Sequence, residues 1–298
     1  MRRHHTRSDC IDIGVAHADS RVMTPDEATA RALAHRVCAL IPEWRESQLT
    51  GFEYLVDGYS NANYRFMHDG LPYVVRIPSY TQPFVDRALE SRVLRDLPEG
   101  LPPAVCAYDT SDGAMVTRWV EGNLMAEERA LPAAQLARQL LEFHERLPDF
   151  TRNYDPLALV RTYLEGIETP QWIVDLASRP WRPVGARPCH NDLNPWNIIV
   201  GDEQTWTVLD WEFAAMNDPL FDMVSLVLGS GLDEDYAQAC AAAYIGASPQ
   251  AARLSDCIEA FWLREYGWAV AQLQRGNQRE EIVERADLAY SALCQRVT

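Results

Sequence analysis

Cys189-His190-Asn191-Asp192-Leu193-Asn194-Pro195-Trp196-Asn197-Ile198-Ile199-Val200, followed by Val208-Leu209-Asp210-Trp211-Glu212, decides the reading of this 298-residue chain. Its skeleton is His-x-Asp, four residues, Asn, an apolar run, a polar turn, a second apolar run and Asp. Phosphoryl transfer from Mg-ATP needs its parts in that order. One carboxylate accepts or orients the proton of an attacking hydroxyl, an oxygen ligand a few residues on holds a metal, and a second carboxylate bridges metal and phosphates. Asp192, Asn197 and Asp210 meet those needs in turn. Asn197 to Val200 and Thr205 to Leu209 read as short strands around the turn Gly201-Asp202-Glu203-Gln204. Such a hairpin brings Asn197 and Asp210 side by side, and their oxygens suit magnesium. A surface hairpin with incidental polar ends would explain one of these residues, but not the whole ordered set.

The stretch resembles the catalytic loop and metal-binding segment of the aminoglycoside phosphotransferase and choline kinase superfamily. The segment from Leu209 to Asp222 is most similar to the choline and ethanolamine kinase branch, with Asp-aromatic-Glu-aromatic, then Asn, then an aromatic-Asp pair. The resemblance covers about residues 50 to 298. It implies an α+β, bilobal protein-kinase-like fold, with a small antiparallel-sheet N-lobe and a larger, mainly helical C-lobe. Residues 1–23 are then a leader, 24–121 the nucleotide-binding lobe and 122–298 the catalytic and substrate-binding lobe, with the hinge at Glu121-Gly122. ATP and Mg2+ are the implied cofactors. Asp192 would orient or deprotonate the acceptor hydroxyl, Asn197 and Asp210 would hold magnesium with Glu212 assisting, and Asp222 would brace the loop through its backbone.

Upstream, Thr24-Pro25-Asp26-Glu27 opens a helix with Thr24 as its cap, and Pro42 closes it. Three strand-like segments follow, Phe52 to Val56, Tyr64 to Met67 and Tyr73 to Pro78. The resemblance lays the first turn between them over the ATP phosphates, where Gly58, Ser60, Asn61 and Asn63 stand. Arg76 falls where most kinases place a phosphate-binding lysine; arginine grips phosphate in a fork and stays charged. Glu90, on the next helix, is its expected partner. Leu131 to Leu147 forms a large-lobe helix on which His144 reads as a packed core histidine. Residues 149–188 read as loops and short helices, and four helices follow, over 223–228, 233–245, 255–274 and 280–296.

A cationic substrate could be held against aromatic faces. The candidates for its site, beside Asp192, are Trp211, Phe213, Trp262 and Tyr266, with Trp196 and Trp268 nearby in sequence. The run Ala260 to Trp268 resembles the helix from which choline kinases present two tryptophans; Trp262 matches one, and Glu265 stands in place of the other. An acid there suits an amine or a thiazolium. A helical aromatic stripe is also what a core needs, so cage and core both stay open for Trp262, while Trp268 reads as core.

The formal charge of −16 argues against nucleic acid and anionic membranes as partners and is compatible with a small cation. The seven cysteines include no Cys-x-x-Cys pair, which fits reduced thiols in a cytoplasm. The basic first residues lead into no apolar region of a signal peptide, and no run reaches the length of a membrane span. The expectation is an ATP- and Mg-dependent kinase acting on a hydroxyl of a cationic amino alcohol such as choline or ethanolamine. Thiamine or an aminoglycoside would be alternative acceptors, and a non-catalytic nucleotide-binding pseudokinase is the competing class. A protein kinase is disfavoured because Gly-x-Gly-x-x-Gly, Asp-Phe-Gly and Ala-Pro-Glu are missing.

Overall fold

The computed structural model describes residues 22–55, 60–247 and 251–297. Short strands rich in aromatic and branched residues dominate the first third. They are β1 (Val22–Met23), β2 (Leu49–Leu55), β3 (Asn61–His68), β4 (Leu71–Pro78), β5 (Val105–Tyr108) and β6 (Met115–Arg118). They form one antiparallel sheet in the order β1-β2-β3-β4-β6-β5. Asp69 and Gly70, both at positive φ, turn β3 into β4 in the two-residue form that suits strand twist. Phe66, Val75 and Val116 on one face pack against Leu33 and Val37 of α1 (Glu27–Leu40), closing a small core.

The cap of α1 is Asp26, not Thr24: its carboxylate accepts from the Thr29 amide at 2.8 Å, which puts Pro25 ahead of the helix. Asn61 and Asn63 also depart from expectation. They lie inside β3, paired with Pro78 and Arg76, rather than in the turn before it. Gly58 lies outside the described residues.

Helix α2 (Arg87–Asp96) is capped by Asp86. Its Val93 and Leu94 enter the larger core and not the sheet's own. The element between β4 and the catalytic stretch is thereby fastened to that stretch. Past β6, β7 (Asn123–Leu124) joins a second sheet with β9 (Ile198–Val200) and β10 (Trp206–Val208), in the order β10-β9-β7. Gly122, at φ +144°, permits this approach: a Cβ there would lie 2.5 Å from the Val200 carbonyl oxygen. Helices α3 (Ala133–Arg146), α4 (Pro156–Tyr163) and α5 (Gln171–Ala177) precede β8 (Arg187–Cys189). That strand pairs with β11 (Ala215–Asn217), which feeds α6 (Pro219–Gly229). Helix α6 is apolar nearly all round and accordingly buried. Helices α7 (Glu234–Ile245), α8 (Ala251–Gln274) and α9 (Glu280–Val297) complete the chain, with Asp233 capping α7. None of the helices among the described residues is long and apolar enough to cross a membrane.

Candidate active site

The β9–β10 pair has the register Ile198 to Val208, and the Leu209 amide donates to the Asn197 carbonyl at 2.8 Å. Asn197 and Asp210 therefore sit at the same open end of the hairpin. The short antiparallel pair β8–β11 carries Cys189 to Ala215 and so delivers His190, Asn191 and Asp192 to that end as well. Both Asn191 (φ 66°) and Asp210 (φ 58°) take the left-handed backbone, which Asn and Asp tolerate better than other side-chain-bearing residues.

The loop is held from beneath by one carboxylate. Asp222 of α6, fully buried, accepts from the successive amides of His190 and Asn191, each at 2.7 Å. His144 lies against the same carboxylate at 3.1 Å, with Tyr244 on its other ring nitrogen. The Asn191 side chain donates to the Phe213 and Ala215 carbonyls and accepts from Asn217. His190 Nε2 donates to the Leu209 carbonyl at 2.8 Å, while its Nδ1 accepts from the Asp192 amide at 3.2 Å. The Nδ1 contact requires the neutral ring with its proton on Nε2, and burial lowers the His190 pKa accordingly.

Asp192 keeps a quarter of its side chain exposed. Its Oδ2 accepts from Asn197 Nδ2 at 3.2 Å and its Oδ1 lies 3.1 Å from Arg264 Nη2. Burial pushes the carboxyl up to about 6, with Arg264 pulling against it. Arg264 Nη1 also donates to the Asn191 carbonyl, so one buried guanidinium from α8 touches two consecutive loop residues. Glu265 is 3.0 Å from Arg264 and 3.3 Å from Arg285.

A second network lies toward the first sheet. Arg76 of β4 contacts Glu90 at 2.7 Å, Asp210 Oδ1 at 3.1 Å and the Gly113 carbonyl at 3.1 Å. Arg76 and Glu90, paired from sequence, are thus brought together, and Asp210 joins them. Arg87 Nη1 is shared between Glu90 Oε2 at 2.7 Å and Glu212 Oε2 at 2.8 Å. The other Glu212 oxygen accepts from Gln82 Nε2 at 2.7 Å, and Gln82 in turn accepts from the Tyr163 hydroxyl. Both oxygens of Glu212 are therefore engaged by side chains. Burial raises the pKa of Asp210 and of Glu212, and neighbouring carboxylates add to the rise against the pull of Arg76 and Arg87.

The donor set next to Asp210 suits a hard cation. Asn61 Nδ2 is 3.4 Å from Asp210 Oδ2, and Asn61 Oδ1 is buried with no hydrogen-bond partner among the described residues. Asn197 spends its amide nitrogen on Asp192, which turns its oxygen away from that contact. Carboxylate and amide oxygens of this kind are what magnesium takes, together with waters. Ser60, expected near the phosphates, has its hydroxyl 3.4 Å from that of Tyr80.

Among the described residues, the aromatic candidates for a cation site are engaged in packing. Trp211 is buried, donates Nε1–H to the Val208 carbonyl at 2.8 Å, and packs against His190 and Phe143. Phe213 stacks on Phe84. Trp262 and Tyr266 belong to the large core, Trp262 against Phe261 and Tyr266 beside Tyr290. The physical reason is that α8 packs against α4, α6 and α9 along its length, so an aromatic stripe on it is consumed by packing. Trp196 is the tryptophan of the loop that stays substantially exposed, at 42%. Arg264, Arg87 and Gln82 were not singled out from sequence. A signal existed for Arg264: an arginine inside a buried stripe must have a carboxylate partner.

Segment 79–86 crosses between the sheet and the helices. Gln272 donates to the Tyr80 hydroxyl, Tyr163 donates to Gln82, and Arg152 donates to the Phe84 carbonyl at 3.0 Å while covering the Phe84 ring.

A small antiparallel sheet joined to a mainly helical body, with a loop bearing Asp192 and Asn197 facing a carboxylate at the end of a hairpin, defines a protein-kinase-like phosphotransferase architecture. Residues 51–255 match the phosphotransferase enzyme family, and the chain belongs to that family. Protein LicA of Haemophilus influenzae is 24% identical over 201 residues, 61% of this chain and 59% of that protein. The match thus spans less than two thirds of the relative's length. Among solved structures, choline kinase LicA from Streptococcus pneumoniae has a TM-score of 0.68 at 18% identity, over 90% of this chain and 100% of that one. The GDP complex of wild-type aminoglycoside 2'-phosphotransferase-IIIa has a TM-score of 0.63 at 18% identity, over 89% and 98%. At such identities the structural likeness concerns the fold.

Proposed function

We propose that this chain is an ATP- and Mg2+-dependent small-molecule kinase that phosphorylates a hydroxyl of a cationic amino alcohol of the choline and ethanolamine class. The observation that carries the reading is the meeting of Asp192, Asn197 and Asp210 at one hairpin end, on a loop whose backbone Asp222 holds. Asp192, with its acid form favoured by burial yet largely ionised at neutral pH, orients the acceptor hydroxyl and takes its proton as the bond to phosphorus forms. Asn197 and Asp210 are the residues that would hold magnesium, which supplies charge neutralisation to the phosphates when bound. Arg76, locked by Glu90, keeps Asp210 in place and adds positive charge on the nucleotide side. The acceptor class draws its support from the LicA likeness and from the Asp210-Trp211-Glu212 segment.

We also place the lobe boundary at Glu121-Gly122, with the catalytic lobe over 122–298 and the nucleotide-binding lobe before it; that lobe begins earlier than the residue 24 expected from sequence, because Val22 and Met23 pair with β2 in its sheet. A cytoplasmic location fits the free Cys38, Cys106, Cys189, Cys240, Cys257 and Cys294.

The test is ADP release from Mg-ATP in the presence of choline, ethanolamine, thiamine, homoserine or kanamycin. Stimulation by choline or ethanolamine, abolished by Asp210→Ala, is the expected outcome. Stimulation by kanamycin alone would replace the acceptor class, and nucleotide binding without any turnover would favour the pseudokinase.

A further inference from the structure

Glu212 stands two residues beyond Asp210, on the short turn that carries Asp210 toward β11, and would be a natural second carboxylate for metal. Its surroundings oppose that role. The side chain is 1% exposed, one oxygen is taken by Arg87 Nη1 at 2.8 Å and the other by Gln82 Nε2 at 2.7 Å. The position of Arg87 is itself built. Gly113 lies against it, and a Cβ at that glycine would fall 2.4 Å from Arg87 Nε, so the chain keeps open the space the guanidinium fills. Arg87 also neutralises Glu90, on the other side of the same nitrogen.

Charge balance points the same way. The cluster holds three carboxylates, Glu90, Asp210 and Glu212, and two guanidiniums, Arg76 and Arg87. Glu90 and Glu212 are closed from water, whereas Asp210 remains a quarter exposed; its Oδ1 meets Arg76, and its Oδ2 is 3.4 Å from the Asn61 amide nitrogen. One carboxylate is left in excess, and it is the open one. Carboxylates taken out of water must be compensated, and here guanidiniums compensate two of the three.

We infer that Arg87 takes the place at Glu212 that a second divalent cation would occupy, so that the site accepts one divalent ion, on Asp210 and Asn197. Glu212 is then a positioning residue, joining segment 79–86, α2 and α4 through Gln82, Arg87 and Tyr163. This rests on the metal site of the proposed kinase.

The test is equilibrium dialysis of the full chain against Mn2+ with ADP on both sides of the membrane, counting chain-bound Mn2+. One equivalent in the wild type is expected. Glu212→Gln should retain it with an affinity within about twofold, Asp210→Asn should lose it, and Arg87→Gln should admit a second equivalent at the freed Glu212. Two equivalents in the wild type would overturn the inference and leave the kinase reading standing. So would a tenfold or greater weakening in Glu212→Gln with an unchanged circular dichroism melt. No Mn2+ bound by the wild type would overturn the metal site and the inference together. The wild-type count depends on no variant, so a misfolded substitution cannot hide the answer.

Discussion

On the sheet side of the catalytic loop, Arg76 and Arg87 join Glu90, Glu212 and Asp210, and only Asp210 keeps appreciable contact with water. On the α8 side, Arg264 and Arg285 join Asp192 and Glu265, and there Arg285 and Asp192 are each about a quarter exposed. The first network ties three elements, β4, α2 and the turn after β10, into one electrostatic unit. The second hangs on a single buried arginine. Buried charges are costly to strand, whereas partly solvated ones are not, so the sheet side is the rigid half and the α8 side the adaptable half. For the proposed kinase this division would be useful, since the nucleotide is the same for every acceptor while the acceptors differ.

The largest expected effect tests the residue between the two networks. Asp192→Ala should lower kcat by about 10³–10⁴-fold while leaving nucleotide affinity, read by calorimetry, unchanged. Retention of near-normal turnover would remove the catalytic assignment. The contrast itself is tested by a matched pair. Glu90→Ala leaves Arg76 and Arg87 short of a partner and should destabilise by about 3–5 kcal/mol. Glu265→Ala should cost clearly less in the same denaturant titration, because Arg285 can turn to water and Arg264 keeps Asp192 as its partner. Equal losses would dissolve the distinction between the halves. Arg264 gives a sharper probe of the α8 side. Arg264→Met should reduce kcat by roughly 10²-fold with little change in KM for ATP, since it displaces Asp192 but no nucleotide contact, and Arg264→Lys should recover part of the loss.

The smallest effect runs the other way. Asp210 titrates above its ordinary value in the folded chain, chiefly because burial disfavours its charge. A raised acid binds more protons folded than unfolded, so its favourable contribution is full at low pH and is lost as pH rises through the folded pKa. Asp210→Asn should therefore be inactive and yet melt a few degrees higher at neutral pH. The difference should shrink toward about pH 4, where the unfolded carboxyl is also protonated. A lower melting temperature at neutral pH would show that the pull of Arg76 outweighs the burial.

Much of the sheet-side network was legible in the sequence. The His-x-Asp, Asn and Asp order survives as a hairpin register because the two strands and their turn are close in sequence, whereas the meeting of Asp222 with the backbone of His190 and Asn191 and the place of Arg76 beside Glu90 were expected from the family resemblance. The α8 side was not legible to the same degree. Trp211, Trp262 and Tyr266 have the spacing of a cage and of a core stripe alike, and only the packing of α8 against its neighbours separates the two. Arg264 meets Asn191 across 73 positions, and Arg87 meets Glu212 across 125, distances over which no local pattern reports. The misplaced cap of α1 has a more local origin: Thr24 and Asp26 are both good capping residues, and the backbone turns helical only after the second.

Asn191 and Asp210 carry side chains in a backbone conformation that glycine would occupy at less strain. Any enrichment of variants for thermal resistance alone would therefore favour relaxing these two positions, and would be rewarded at the very places where a carboxylate and a loop-locking amide are needed. Directed evolution of this chain toward durability would need a simultaneous screen for turnover. Its harmless gains are to be sought far from the hairpin end, on exposed α1 and α9 surfaces where Ala28 and Glu284 stand.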